Sequence, residues 1–309
     1  MTSITIPSSV TLIGKNAFSN ATSLPSINIP SSVTIINDGT FYEATSLTSI
    51  TIPSNVTIIG KNAFSNATSL TSITIPSSVK IIDGSAFYNH MLSSVTFAPD
   101  SQLDIIGEYA FSSNTGNSTS LTSIIIPDSV TIIDTGAFSS NQMLSSVTFE
   151  ADSQLTSIGN SAFNLDSKLE QIIIPPHVTS IGTEAFINCH GLSQVTFTGD
   201  MIPSDISLNT FPPKSQNITA YFTQVLSQNY IEILEATFST VTNSASKFTL
   251  QDNSVVQINI RGSLSQSSYS NDISLNSITS VIIGNTVTDL SYNNNAGAFE
   301  NCQFLSSVT

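Results

Sequence analysis

The stretch LTSITIPSNVTIIGKNAFSNATS, residues 47–69, recurs almost unchanged from Leu70. Equivalent leucines stand at Leu24, Leu47, Leu70, Leu92, Leu121, Leu144, Leu169 and Leu192, at intervals of 23, 23, 22, 29, 23, 25 and 23 residues. A partial copy starts at Ser3, and an insertion containing NTGNST near Asn114 accounts for the longest interval. Self-similarity at a period of roughly 20–50 residues marks a stack of supersecondary units, none of which buries its apolar face alone.

Two short extended runs alternate strictly within one unit. In the first, Ile50 and Ile52 share one face while Ser49 and Thr51 point the other way. Pro53 has no N–H to donate, so it ends the strand. The second run is Val56–Gly60, followed by Ala63-Phe64 in a polar stretch long enough for one helical turn. The column after the second run reads Gly14, Asn37, Gly60, Asp83, Gly107, Asp134, Gly159 and Gly182. These residue types best tolerate a left-handed backbone, which predicts a turn there. A calcium row is excluded, because Asp83 and Asp134 are not repeated from unit to unit. A second column, Phe18, Phe41, Phe64, Phe87, Phe111, Phe138, Phe163 and Phe186, predicts a buried aromatic spine.

The pattern L-x-x-[IV]-x-[IF]-P-x-x-V-x-x-I-G-x-x-A-F resembles the BspA-like leucine-rich repeats from Ser3 to about Phe211, and again near Ile278. It departs from the commonest leucine-rich pattern, which places Asn after the strand. The resemblance implies a mainly β solenoid: a right-handed leucine-rich-repeat superhelix with a parallel sheet on the concave face. Short second strands and single helical turns would form the other wall. It also implies a non-enzymatic adhesion or interaction module with a protein or glycan ligand, at an extracellular or cell-surface location.

The array occupies residues 1–222 as about nine repeats, the last degenerate, and Pro212-Pro213 interrupts it. Residues 223–276 read as a small α+β capping or linking segment. Val225, Leu226, Tyr230, Ile233 and Leu234 have helical spacing, and KFTLQDNSVVQINIRGSL reads as a hairpin turning at Asp252-Asn253. Residues 277–309 read as the start of a second, truncated array in which Ala298-Phe299 restores the spine column. Both termini fall inside strand patterns and no signal peptide precedes them, so we expect a fragment of a longer array.

The chemistry is sparse. Charged residues are 9% of 309, with 21 acids against 7 bases and a formal net charge of −14. That balance argues against nucleic acid and anionic lipid as partners. No apolar run is long enough for membrane insertion. His90, His177 and His190 lack metal-ligand spacing, and Cys189 and Cys302 occupy the same repeat position as small core residues. There is no phosphate loop, dinucleotide turn or nucleophile elbow, and Arg261 is the only arginine. No cofactor is expected. Sequons occur at Asn20, Asn55, Asn66, Asn117 and Asn217, in a chain where Ser (55) and Thr (36) make several matches expected by chance.

The first-strand residues of opposite parity form two outward columns. Candidate partner-binding residues there are Asn28, Ser49, Thr51, Ser72, Thr74, Thr96, Ile125, Thr148, Gln171, Ile173, Gln194 and Thr196. Ile125 and Ile173 interrupt the hydroxyl rows, and exposed apolar residues on a polar face can anchor a partner. Two other functions fit the same pattern. One is a structural spacer without a ligand. The other is an ice-binding threonine array, which the Ile and Gln interruptions disfavour.

Overall fold

The structure, a computed structural model, describes residues 3–88, 91–113, 121–199, 203, 205–206, 209–213, 218–222, 240–243, 246–249, 255–260 and 278–283. The chain divides into two units: Met1–Leu192 with Pro203–Pro213, and Ser193–Ile202 with Lys214–Thr309.

The first unit is a parallel β-solenoid. Its first strands are β1 (Ser26–Asn28), β3 (Ser49–Thr51), β5 (Ser72–Ile75), β7 (Ser94–Phe97), β9 (Ser123–Ile126), β11 (Ser146–Phe149) and β13 (Gln171–Ile174). Second strands of two residues alternate with them: β2 (Ile35–Ile36), β4 (Ile58–Ile59), β6 (Ile81–Ile82), β8 (Ile105–Ile106), β10 (Ile132–Ile133), β12 (Ser157–Ile158) and β14 (Ser180–Ile181). These seven form one continuous parallel sheet. Each P-x-x-V step between the strands is a tight turn, with Val33 N–H donating to Pro30 O at 3.0 Å and Val56 N–H to Pro53 O at 3.0 Å.

The first strands do not form one ladder. They pair as β1 with β3, β5 with β7, and β9 with β11. Proline explains the gaps. Where a strand is followed by another residue, its amide adds a rung: Ala98 N–H donates to Ile75 O at 2.9 Å and Glu150 N–H to Ile126 O at 3.0 Å. Pro76, Pro127 and Pro175 occupy that position after β5, β9 and β13 and have nothing to donate. Each seam, β3|β5, β7|β9 and β11|β13, falls ahead of such a strand. Pro53 follows β3, and β3 pairs with β1 over three residues, where the pairs whose second strand is followed by Ala98 or Glu150 reach four.

The third wall contains no helix among the described residues, so the expected single helical turns are corrected to chains of β-turns. Left-handed residues are the reason. In residues 14–21, Asn16 and Asn20 have φ of 57° and 58°. Ala17, Ser19 and Ala21 amides close turns within the repeat, whereas those of Asn16, Phe18 and Asn20 point forward, to Asp38 O, Thr40 O and Tyr42 O at 2.9, 2.8 and 2.7 Å. A helix would turn every amide back on its own chain. The forward bond of the spine residue recurs from Phe18 to Phe186, at 2.7–2.8 Å throughout.

The left-handed residues lie two positions after the predicted column, at Asn16, Gly39, Asn62, Ser85, Tyr109, Gly136, Ser161 and Glu184. No residue of the Gly14 column has positive φ. Four of its glycines, Gly60, Gly107, Gly159 and Gly182, are closely approached by the preceding repeat, whereas a Cβ on Gly14 would meet open space. A Cβ on Gly107 would lie 2.9 Å from the Asp83 backbone, and one on Gly159 would lie 2.5 Å from that of Asp134. Asn37 instead uses its side chain, donating from Nδ2 to Ile13 O at 2.7 Å.

Inside the turns, the column leucines from Leu24 to Leu192 are buried. So are Phe41 to Phe186, with Phe18 half-buried at the edge. The rings stack in one file from Phe18 to Phe211, with centroids 5.1–5.5 Å apart and planes within 13°. Side-chain hydroxyls bind the preceding repeat: Ser78 Oγ donates to Val56 O at 2.6 Å, Ser129 Oγ to Leu103 O at 2.8 Å and Ser69 Oγ to Thr45 O at 2.5 Å.

In the second unit, β15 (Gln194–Phe197), β16 (Thr219–Phe222) and β17 (Thr240–Asn243) run parallel, with Gln194 opposite Thr219 and Thr219 opposite Thr240. The strand β16 comes from ITAYF, where Ile218 and Ala220 are buried and Thr219 between them is half-buried. β18 (Ser246–Thr249) and β19 (Val255–Ile260) pair antiparallel, the pairing of a hairpin. β20 (Ile278–Ile283) joins β19 antiparallel as well, with a register shift at Asn259/Ile260. The expected helix at Val225–Leu234, the Asp252-Asn253 turn and Ala298-Phe299 lie outside the described residues.

Two substitutions test this packing. Phe111→Ala leaves a cavity in the middle of the file and is expected to cost about 3–5 kcal/mol, read as a lower denaturant midpoint. Leu165 holds φ of 67° at a position where Asn20, Asn66 and Asn188 also turn left-handed, and it is 41% exposed. Leu165→Asn is therefore expected to stabilise by about 1 kcal/mol, giving a higher midpoint in the same assay.

Candidate functional site: the outward face of the first strands

Strand alternation builds the face. Ile27, Ile73, Val95, Ile124, Val147 and Ile172 turn into the solenoid and are buried. Their neighbours Ser26, Asn28, Ser49, Thr51, Ser72, Thr74, Ser94, Thr96, Ser123, Ser146, Thr148 and Gln171 are exposed. Register keeps the columns straight within each pair: Asn28 lies opposite Thr51, Thr74 opposite Thr96, and Ile125 opposite Thr148. Ile125 and Ile173 stand in the threonine column, 58% and 55% exposed. They are two repeats apart, about 10 Å at the usual strand spacing. Gln194 (exposed) and Thr196 (half-exposed) lie on β15, in the second unit, so the first unit brings together ten of the twelve candidates.

Glu150 belongs to the same face and was missing from the sequence-based set. It is exposed and continues the parity of Ser146 and Thr148 beyond β11. Its Oε2 accepts from Asp128 N–H at 3.2 Å, reaching back towards the repeat of Ile125. The alternation itself was the available signal, masked because proline fills this position in most other repeats.

The remaining chemistry is structural. His177 is exposed, and its Nδ1 lies 3.0 Å from Ser153 O at the position where other repeats use Ser78 and Ser129. His190 is exposed, and His90 lies outside the described residues. Among the described residues, no three His, Cys, Asp or Glu side chains gather as a metal site requires. No helix among them is long and apolar enough to cross a membrane.

One polar column is buried. Asn141, Asp166 and Cys189 each stand three residues before a column leucine, where earlier repeats have Ala44 and Ala67. Asn141 Nδ2 donates to Phe111 O and Phe138 O at 2.9 and 2.5 Å, and Cys189 Sγ to Phe163 O at 3.1 Å. Asp166 Oδ1 accepts from Asn141 N–H at 2.9 Å. Asn141 Oδ1 and Asp166 Oδ2 are buried acceptors that receive no hydrogen bond. Burial pushes the Asp166 carboxyl well above its ordinary range. The Cys189 thiol is pushed up by burial and then by the nearby Asp166 carboxylate. A thiol so held is poor in thiolate and unsuited to nucleophilic work.

The sequence matches the profile of the BspA type leucine-rich repeat region, with six copies, over residues 1–117 and 98–218. No curated protein matches it. Among solved structures, a leucine-rich repeat protein from Bacteroides ovatus is 29% identical with a TM-score of 0.58. The similarity covers 72% of this chain and 55% of that one, so the present chain spans about half the length of its relative. A leucine-rich repeat protein of T. pallidum is 23% identical, covering 61% of this chain and 77% of that one, with a TM-score of 0.42. One from Eubacterium ventriosum is 22% identical over 75% and 70%, with a TM-score of 0.37.

The buried acid makes stability depend on pH with a defined sign. The folded state holds the Asp166 proton more tightly than the unfolded chain, whose carboxyl titrates near pH ~4. Its stabilising contribution is therefore complete below about pH 4 and is lost as pH rises towards the folded-state value. Asp166→Asn keeps the acceptor for Asn141 N–H and adds a permanent donor in place of a charge. Thermal melts across pH should show the variant more stable at pH ~8, by roughly 1–3 kcal/mol, with a flatter profile. Parallel profiles for the two proteins would contradict this account.

Proposed function

Because the chain belongs to the BspA-type leucine-rich repeat family, we propose that it is a non-enzymatic interaction module. Its outward first-strand face would hold a protein or glycan ligand, in the service of adhesion at a cell surface. The observation that supports this reading is the pair Ile125 and Ile173, each more than half exposed on a hydroxyl column. A partner that covers these side chains removes their apolar surface from water, which favours association. The regular spacing of hydroxyl and amide side chains around them supplies donors and acceptors without fixed charge.

One observation favours the spacer reading. Many serines and threonines are engaged between repeats, as Ser78, Ser129 and Ser69 are, so hydroxyl abundance follows partly from stacking alone.

The test compares the immobilised 309-residue chain with its Thr51→Arg/Thr74→Arg/Ile125→Arg variant, against a cell-surface extract and a glycan panel. All three positions are exposed, so the variant is expected to fold with an unchanged denaturation midpoint. A ligand retained by the wild type and lost by the folded variant is the expected result. Identical retention by both, or none by either, would favour the spacer.

A further inference from the structure

Charge is unevenly distributed along the array. Residues 1–97 carry three lysines (Lys15, Lys61, Lys80) against three acids (Asp38, Glu43, Asp83), a formal balance of zero. Residues 98–192 carry ten acids against Lys168 alone, a formal −9. The two isoleucines exposed on the first-strand face, Ile125 and Ile173, both fall in this second half. Glu150 sits on the face itself, on the repeat between Ile125 and Ile173, and the turns beyond β9 and β11 add exposed Asp128 and Asp152. Asp100 holds the corresponding turn after β7, also exposed. The neutral half of the same face offers hydroxyls and one amide, without an aliphatic anchor.

We propose that the face from β7 to β13 docks a cationic protein segment, one that sets apolar side chains against Ile125 and Ile173 and lysine or arginine against Glu150, Asp128 and Asp152. This rests on the interaction-module reading and names the partner class for it. Apolar contact at the centre with charged groups around it is the usual anatomy of a protein interface. The acids steer a basic partner towards this half and oppose an acidic one. The same field repels phosphate-bearing polymers and anionic lipid.

The experiment uses the intact chain and labelled peptides in fluorescence anisotropy. The probes are a peptide of alternating lysine and leucine, one of lysine and glycine, and one of glutamate and leucine. The variants are Ile125→Ser/Ile173→Ser and Asp128→Asn/Glu150→Gln/Asp152→Asn. A charge-matched control, Glu43→Gln/Glu108→Gln/Glu184→Gln, removes three acids from the turn wall instead. Denaturation midpoints confirm that each variant folds.

The expected result is that the wild type prefers the lysine–leucine peptide and that each face variant weakens it roughly tenfold, about 1.4 kcal/mol, while the control does not. Equal binding of lysine–glycine, or equal loss in the control, would mean bulk attraction between an acidic protein and any polycation, and would overturn the inference. Isoleucine-dependent binding of the glutamate–leucine peptide alone would overturn the cationic partner and leave the face as a binding surface. Binding indifferent to both face variants would overturn the docking site, and the triple-arginine comparison would then decide the broader reading independently.

Discussion

The amide that points forward is the constraint on which the solenoid depends. In the third wall, N–H groups at alternate positions leave their own repeat and bind the next, and the phenylalanine amide is one of them. This fixes the advance from one repeat to the next, so the rings meet face to face at nearly constant separation. In most repeats it is accompanied by a left-handed residue on either side of the spine position, as with Asn16 and Asn20 around Phe18. The close approach also explains why glycine recurs after the second strand: the preceding backbone lies where its Cβ would be.

The long-period features were legible in the sequence because each repeats and has one dominant physical cause. Leucine and phenylalanine columns announce burial, and strict alternation announces which strand residues point outward. Features with mixed residue types were not legible in the same way. The left-handed position is filled by Asn16, Ser85, Tyr109 and Glu184 alike, because forward hydrogen bonds impose the conformation whatever the side chain. The glycine column drew attention two positions too early, since glycine serves close approach as well as positive φ. A short polar stretch around Ala63-Phe64 is compatible with either a helical turn or successive β-turns, and only the destination of its amides separates them. On the candidate face, Ile125 and Ile173 were visible as exceptions to a column, whereas Glu150 was hidden by the proline that usually occupies its place.

Hydroxyl side chains therefore serve two purposes that composition cannot separate. At the edges of the repeats they bridge to carbonyls of the previous turn, satisfying backbone acceptors where the ladder ends. On the outward columns they face solvent. The functional reading rests on the few positions where this economy is broken: two exposed aliphatic residues and an acid between them. The buried Asn141, Asp166 and Cys189 break it in the opposite direction, placing polar atoms where earlier repeats have alanine.

The proline seams give the array a grain. The second-strand sheet is continuous through seven repeats, whereas the first-strand wall is divided into pairs. A load pulling neighbouring repeats apart is thus shared unevenly: both walls resist it within a pair, and at a seam the second-strand wall and the forward amides carry it with fewer rungs opposite. A surface on the first-strand wall that spans a seam, as the one from Ile125 to Ile173 does at β11|β13, is spread over two panels. A ligand held across both panels would act as a splice where the backbone has none.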